Sequence, residues 1–250
     1  LGDMPVAKGA QTPLEAAQTP DLDYLASGGI CGLHEPVGPG ITPGSGPGHL
    51  AVFGYDPLLY RVGRGTLAAL GIDFDLRPGD VAARGNFCTI DGNGAITDRR
   101  AGRLATEKNR ELCELLNEIE LPGVEVFVRT VKEHRFLLVL RGEKLSPELY
   151  DTDPQETGVP PREPECSDAA ADNTRQAVAS FAAAAKEKLA EQAAANMVVL
   201  RGFSSPPEIP SMQEAFGLKG AAIADYPMYR GRLRLLLRTR QKMRHRRRGR

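Results

Sequence analysis

Apolar residues along this chain fall in short clusters over the first eighty positions and in longer, cleaner runs after that. Thr19-Pro20-Asp21 predicts a helix start, with threonine as N-cap and proline at the first helical position, and Leu22, Leu25 and the Gly28-Gly29 stop complete a short helix. Ile30 to Leu33 reads as a buried strand. Residues 35–48 hold five glycines and four prolines in fourteen positions, too dense for any regular element, so they predict a shaped loop. Short helices are expected at His49 to Phe53 and at Gly65 to Leu70.

From about Val81 the pattern changes. Val81 to Ile90 is apolar and β-branched enough for a strand, Asp91-Gly92-Asn93-Gly94 is a strong hairpin turn, and Ala95 to Thr97 begins the return. Thr106 to Glu120 places Leu112, Leu115, Leu116 and Ile119 at helical spacing, and Val124 to Thr130 and Phe136 to Leu140 read as strands across a charged turn. A polar, proline-rich stretch from Ser146 to Asp168 precedes an amphipathic helix from Asn173 to Ala195, with Val178, Phe181, Ala185 and Leu189 on one face. Met197 to Leu200 and Ala221 to Ala224 are further short buried strands. Strands interleaved with helices predict an α/β class, and the change near Val81 predicts a second α/β module, 81–205, inserted into the first.

The 250 residues are enough for one large domain or two smaller ones, and 41% hydrophobic with 26% charged residues is ordinary globular composition. No stretch approaches the roughly 20 consecutive apolar residues of a membrane span, so a soluble protein is expected, with no membrane partner. No signal or transit peptide is visible, and Cys31, Cys88, Cys113 and Cys166 are scattered without a CxxC pair, which favours a reduced, cytoplasmic chain. Eleven of the 32 Lys and Arg residues fall between Arg230 and Arg250, where there is no Asp or Glu, so residues 1–229 carry 21 basic against 32 acidic side chains. The basic tail reads either as a nucleic-acid arm or as sequence foreign to the fold, the second being favoured; the acidic body argues against nucleic acid elsewhere.

Two segments carry candidate chemistry. In Pro43-Gly44-Ser45-Gly46-Pro47-Gly48-His49 a glycine-flanked serine precedes a helix, where backbone N–H groups favour anions, which is a setting for a nucleophile or for a plain turn. It is neither a GxSxG elbow nor a phosphate-binding P-loop. Asp98-Arg99-Arg100-Ala101-Gly102-Arg103 sets three guanidinium groups in five positions, suited to a small, multiply charged anion. Arg84, Arg135, Arg141 and Arg201 fall at or beside other strands of the same module, where an arginine needs a partner. A converging anion site explains them, and surface ion pairs are the plainer account of any one. His49 follows the serine loop, His134 sits beside Arg135 at a strand start, and His245 lies in the tail; no local His or Cys spacing makes a metal site. Asp3, Asp151 and Asp153 are possible metal or anchoring carboxylates, with capping or turn chemistry favoured.

TPLEAAQTPDLDYLASGGICGL, PGSGPGHLAVFGYDP, GRGTLAALGI, GDVAARGNFCTID, DRRAGR, EHRFLLVLRG, DTDPQ and YPMYRG follow one another in an order that resembles the archaeal-type, cofactor-independent phosphoglycerate mutases, over about residues 1–235. The resemblance implies a partial alkaline-phosphatase-like core, residues 1–80 and 206–237, with an inserted α/β phosphotransferase-type domain at 81–205 and an aberrant basic tail at 238–250. It implies interconversion of 3-phosphoglycerate and 2-phosphoglycerate through a phosphoserine, with a divalent pair, Mn2+ or Mg2+. By motif match Ser45 becomes nucleophile and metal ligand, Asp98, Arg99 and Arg103 the substrate group, and Arg135, Arg201 and Lys219 weaker substrate contacts. The family's pattern has an Asp-Gly just before Leu1 and its remaining metal-binding Asp and His residues beyond Arg230. The resemblance thus implies a chain truncated at both ends, lacking most metal ligands. Two other functions remain open: a metal-dependent phosphatase of the same superfamily, and a non-catalytic remnant that binds phosphoglycerate.

Overall fold

The computed structural model describes residues 5, 7–32, 35, 37–41, 43, 45–60, 62–221, 223 and 227–237. Helices α1 (Pro13–Ala16), α2 (Pro20–Gly28), α3 (Ser45–Val52) and α4 (Arg64–Gly71) precede strands β1 (Val81–Ile90) and β2 (Ile96–Asp98). Then come α5 (Thr106–Leu116), β3 (Val124–Lys132), β4 (Arg135–Gly142), α6 (Asp172–Lys188), β5 (Met197–Ser204), α7 (Met212–Phe216) and α8 (Pro227–Leu237). The class is α/β, and the sheet is antiparallel throughout. No helix among the described residues is long and apolar enough to cross a membrane.

β1 is the organising strand. It pairs with β4 from Val81↔Leu140 to Asn86↔Arg135 and with β5 from Ala82↔Ser204 to Cys88↔Met197, so both edges are hydrogen bonded; β3 lies outside β4, and β2 joins at the far end. Period-two alternation sends Ala83, Phe87, Phe136, Leu138, Leu140 and Leu200 to one face, where they pack with Leu112 and Leu116 of α5 and Val178, Phe181 and Ala185 of α6. The other face is covered only in part: Ala82, Leu137 and Val139 meet Ala68 and Ala69 of α4. A polar strip of that face stays uncovered by this apolar packing, and the site forms there.

α4 lies between the sheet and α8, and both contacts need a missing side chain. A Cβ on Gly65 would run into the Ala82 carbonyl, and one on Gly231 of α8 would meet the Leu67 carbonyl. Gly65→Ala should therefore lower stability by about 1–3 kcal/mol through overpacking, read as a drop in urea midpoint; an unchanged midpoint would mean that α4 can lift off at no cost. A smaller cluster of Leu50, Tyr55, Ile209 and Leu236 ties α3 to α8.

Several expectations are corrected. Ile30 and Ile223 are fully exposed, Ala221 is exposed, and none of the three lies in a strand, so the strands expected at Ile30 to Leu33 and Ala221 to Ala224 are not formed at the described positions. An apolar run makes a strand only where a sheet edge receives it, and neither run has one. α3 starts at Ser45 rather than His49, because Pro47 sits in the first turn, where its missing N–H has no helical partner to lose. α6 stops at Lys188, short of Ala195: Leu189 is buried at the C-cap, and the chain must turn so that the Asn196 carboxamide can accept from Ile90 N and donate to Ile90 O. Asp3, His245 and the tail 238–250 lie outside the described residues.

Candidate active site

The site is built at the end of the sheet where β1, β2 and β5 meet. Asp91 accepts hydrogen bonds from Asn93 N and Ala95 N, closing the hairpin that feeds β2. β2 ends at Asp98, whose two oxygens accept from Arg100 N at 2.8 Å and Gly102 N at 2.6 Å. These two backbone bonds hold the Asp98 carboxyl below the usual range. They also pin a left-handed turn: Ala101, Gly102 and Arg103 have φ of 46°, 65° and 54°. Left-handed backbone costs about 1–2 kcal/mol for each non-glycine residue, and here it persists because Asp98 caps the turn and Ala101 is sealed into the main core. The turn leaves Arg103 exposed and Arg99 turned inward.

Arg99 meets Asp153 in a bidentate pair, Nε to Oδ1 at 3.1 Å and Nη2 to Oδ2 at 2.8 Å. Asp153 is delivered by its neighbour: Thr152 is hydrogen bonded to Leu200 through both its backbone N–H and its hydroxyl, which docks residues 151–153 along β5. Arg201 then lies between two carboxylates, Nη1 at 3.4 Å from Asp153 and Nε at 3.3 Å from Asp151. Asp151 also accepts from Gly202 N at 2.7 Å. Asp153 is 0% exposed; burial pushes its pKa up, but the Arg99 hydrogen bonds, the Gln155 N–H and the Arg99 and Arg201 charges outweigh this and hold it below the usual range. Arg64, opening α4, shares this field, its pKa lowered by burial and by Arg201 against the pull of Asp151 and Asp153. Cys88 is no nucleophile, because burial and the nearby Asp153 and Asp98 push its thiol up to about 12.

Beside β1 runs the β3–β4 turn, where His134 O accepts from Phe87 N. Glu133 is left-handed, with φ 52°, and α5 staples it: Thr106 Oγ1 accepts from Glu133 N, while Asn109 Nδ2 donates to Glu133 O at 2.7 Å and Arg135 O at 3.0 Å. His134 is thereby held 2% exposed, and burial followed by the Arg135 charge pushes its pKa down to about 4. Above pH about 6.5 the imidazole is neutral in both folded and unfolded chain; below it the unfolded chain takes up a proton that the folded chain refuses. Stability should therefore fall by about 1.4 kcal/mol per pH unit between roughly 6.5 and 4, and urea midpoints of His134→Gln should lack this loss. An equal slope in the variant would show that another group sets it. Asp98 and Asp153, whose pKa values are lowered, stabilise the fold above the usual carboxylate range and lose that contribution only at more acid pH.

Of the residues expected from sequence, Arg99 and Arg201 come together on Asp153, while Asp98 caps the turn that follows Arg99. Arg135 stands in register with Asn86 on the adjacent strand, and its charge acts on His134. Arg103 is on the exposed rim. Ser45 is the first residue of α3, with its side chain outside the described set, and its helix docks on α8 through His49 and Tyr229, whose rings are 5.2 Å apart. Lys219 is exposed between α7 and α8. Arg141 is a correction to the converging set: it pairs with Asp80 at 2.7 Å over the Phe127 ring and serves the fold. Asp151 and Asp153, favoured as turn residues, are the anchoring carboxylates. Arg64 and the buried state of His134 carried no local sequence signal. Among the described residues no three His, Cys, Asp or Glu side chains are grouped so as to hold a metal ion, so these residues alone do not fit a metal pair.

A family model described as 2,3-bisphosphoglycerate-independent phosphoglycerate mutase matches residues 26–195. A "probable 2,3-bisphosphoglycerate-independent phosphoglycerate mutase" of Thermus thermophilus is 49% identical over 233 residues, covering 92% of this chain and 57% of the relative. One of the same description from Aquifex aeolicus is 47% identical over 240 residues, 92% of this chain and 59% of the relative. The solved cofactor-independent phosphoglycerate mutase of Thermoplasma acidophilum superposes with a TM-score of 0.64 at 35% identity, over 95% of this chain and 65% of that one. A Pyrococcus horikoshii structure, 24% identical with a TM-score of 0.72, shares the fold. The chain thus spans 57–59% of the length of these curated relatives.

Proposed function

Since the chain belongs to the 2,3-bisphosphoglycerate-independent phosphoglycerate mutase family, we propose that it serves the interconversion of 3-phosphoglycerate and 2-phosphoglycerate, an isomerase reaction of glycolysis and gluconeogenesis in the cytoplasm. The observation that supports this reading is the buried Asp153, which fixes Arg99 and Arg201 side by side. Guanidinium forks preset in this way suit a small acid carrying both carboxylate and phosphate.

In the proposed reaction Ser45 gives up its hydroxyl proton as Oγ attacks phosphorus, the bond from phosphorus to the glycerate oxygen breaks, and that oxygen takes up a proton. The glycerate then turns within the arginine site, its other hydroxyl gives up its proton as it attacks the phosphoserine, the bond from phosphorus to Oγ breaks, and Oγ takes a proton to regenerate Ser45. The start of α3 favours an anion at Ser45 through its backbone N–H groups, and the arginines keep the glycerate from leaving between the two transfers. A divalent pair, Mn2+ or Mg2+, with Ser45 as one ligand, belongs to the proposal, but the described residues do not make its site and no step is assigned to it.

Calorimetric titration of the full chain with 3-phosphoglycerate should show binding that Arg103→Ala weakens about 10- to 100-fold, the value of one charged hydrogen bond. Phosphate-labelled substrate should mark the wild-type chain and not Ser45→Ala. Absence of binding by the wild type would overturn the reading, and free phosphate released in excess of isomerised product would favour a phosphatase.

A further inference from the structure

We propose that Arg64 is a further ligand-contacting residue of this site, its guanidinium binding an anionic group of the phosphorylated acid alongside Arg99 and Arg201. The inference rests on the proposed function and supplies what the Asp153 group lacks. Arg99 and Arg201 face Asp151 and Asp153, two guanidinium groups against two carboxylates, so that group is ordered but carries no net charge. A phosphate monoester that also bears a carboxylate brings about two to three negative charges near neutral pH, and a neutral group gives it no net attraction.

Three observations carry the assignment. First, the start of α4 is fastened beside Arg201. Thr66, two residues after Arg64, donates to Ser204 Oγ at 3.0 Å through both its N–H and its hydroxyl, and the hydroxyl also lies 3.1 Å from Ser205 O. Ser204 closes β5, three residues after Arg201. Second, the approach depends on Gly202. β5 shifts register against β1 between the partners of Ala82 and Arg84, Gly202 takes a φ of 61°, and a Cβ on it would stand 2.7 Å from Arg64 Cβ and 2.9 Å from Arg64 N. The Arg64 side chain therefore leaves α4 against the residue that follows Arg201. Irregularities of this kind in a sheet are over-represented beside active sites, where they re-aim a side chain. Third, Arg64 is exposed, and among the described residues no carboxylate forms an ion pair with it, whereas Arg99 and Arg201 are both engaged by carboxylates.

The face and the field agree with this placement. Arg201 stands opposite Arg84 in the β1–β5 register, and Arg84 points to the side of the sheet that α4 covers at Ala82, two residues earlier. Arg64, Arg84 and Arg201 thus share one face. Arg201 and partial burial make a proton on Arg64 less favourable, and Asp151 and Asp153 act in the opposite sense. Guanidinium groups held near one another repel, and an anion seated between them removes that repulsion. Arg64 is the cation that gives the neutral group a net positive charge.

The test combines a footprint on the wild-type chain with two variants. Phenylglyoxal, which modifies arginine, should label Arg64 in the free chain, and 3-phosphoglycerate at about ten times its dissociation constant should slow that labelling about tenfold. Exposed Arg110 of α5, on the other face of the sheet, should be labelled at the same rate throughout. In calorimetric titration Arg64→Gln should weaken 3-phosphoglycerate about 10- to 100-fold, the value of one charged hydrogen bond, and Arg64→Lys, which keeps the charge but not the fork, should recover part of it. Without ligand the urea midpoint of Arg64→Gln should be no lower than that of the wild type, because the variant removes repulsion from Arg201. Labelling of Arg64 that 3-phosphoglycerate does not slow, or a lowered midpoint with intact affinity in Arg64→Gln, would overturn the assignment while leaving the proposed function standing. Failure of the wild type to bind 3-phosphoglycerate would overturn both. The footprint needs only the wild-type chain to decide the point if a variant does not fold.

Discussion

Asp153→Ala should lower the free energy of unfolding by about 3–5 kcal/mol, the loss expected when one member of a buried charge group is removed and its partners stay. Asp153 is fully buried and answers Arg99 through two hydrogen bonds and Arg201 through a third contact, so the variant strips Arg99 of its carboxylate and leaves Arg201 with Asp151 alone. The wild-type midpoint in urea should fall sharply with an unchanged slope, and part of the deficit should return on addition of inorganic phosphate, which can stand between the two arginines. Asp153→Asn, which keeps an acceptor but no charge, should fall between. A loss under about 1 kcal/mol for the alanine variant would mean that solvent already screens the pair and that Asp153 does not organise the site.

The second large effect is expected at Phe136. Its ring is completely buried, packs at a tilt against Phe87 at a centroid distance of 4.8 Å, and fills the space left by Gly85, where a Cβ would strike it. Phe136→Ala should cost about 3–5 kcal/mol in urea unfolding, a transfer loss plus a cavity that β1 and β4, locked in register, cannot collapse. Phe136→Leu should lose less than half as much. Because Arg135 and Asn86 are the register partners next to Phe136 and Gly85, the alanine variant should also weaken binding of 3-phosphoglycerate; intact affinity in a destabilised protein would show that the strand pairing alone holds Arg135 in place.

Local signals in the sequence were sufficient where an element explains itself. β1 runs from Val81 to Ile90 as its β-branched, apolar pattern and the Asp91-Gly92-Asn93-Gly94 turn require, and α2 begins at Pro20, as a proline at a first helical position predicts. They failed where the tertiary setting decides. Ile30 and Ile223 look like strand residues but meet no sheet edge, and the alanine-rich run after Leu189 would continue a helix were it not needed to bring Asn196 to Ile90. The arginines of Asp98 to Arg103 were visible as an anion motif. Their organiser was legible only as the less favoured alternative to turn chemistry, because Asp151 and Asp153 lie about 50 residues away in a segment that reads as a turn and reaches β5 through Thr152 and Leu200. Arg141, by spacing alone one more member of the set, is drawn off to Asp80 at the other end of its strand.

The pairing of β1 on both edges also governs how the site can move. Arg84 and Asn86 ride on a strand whose backbone amides are locked by β4 on one side and β5 on the other, so their exchange with solvent deuterium requires opening of the whole sheet rather than local fraying. Wall residues mounted on such a strand are already ordered before a ligand arrives, and little conformational entropy remains to be lost there on binding. The flanking turn and the 151–153 segment are pinned as well, by Asp98 and by Thr152 on β5, so a reorienting guest is met by movement of exposed side chains such as Arg103 rather than of the backbone.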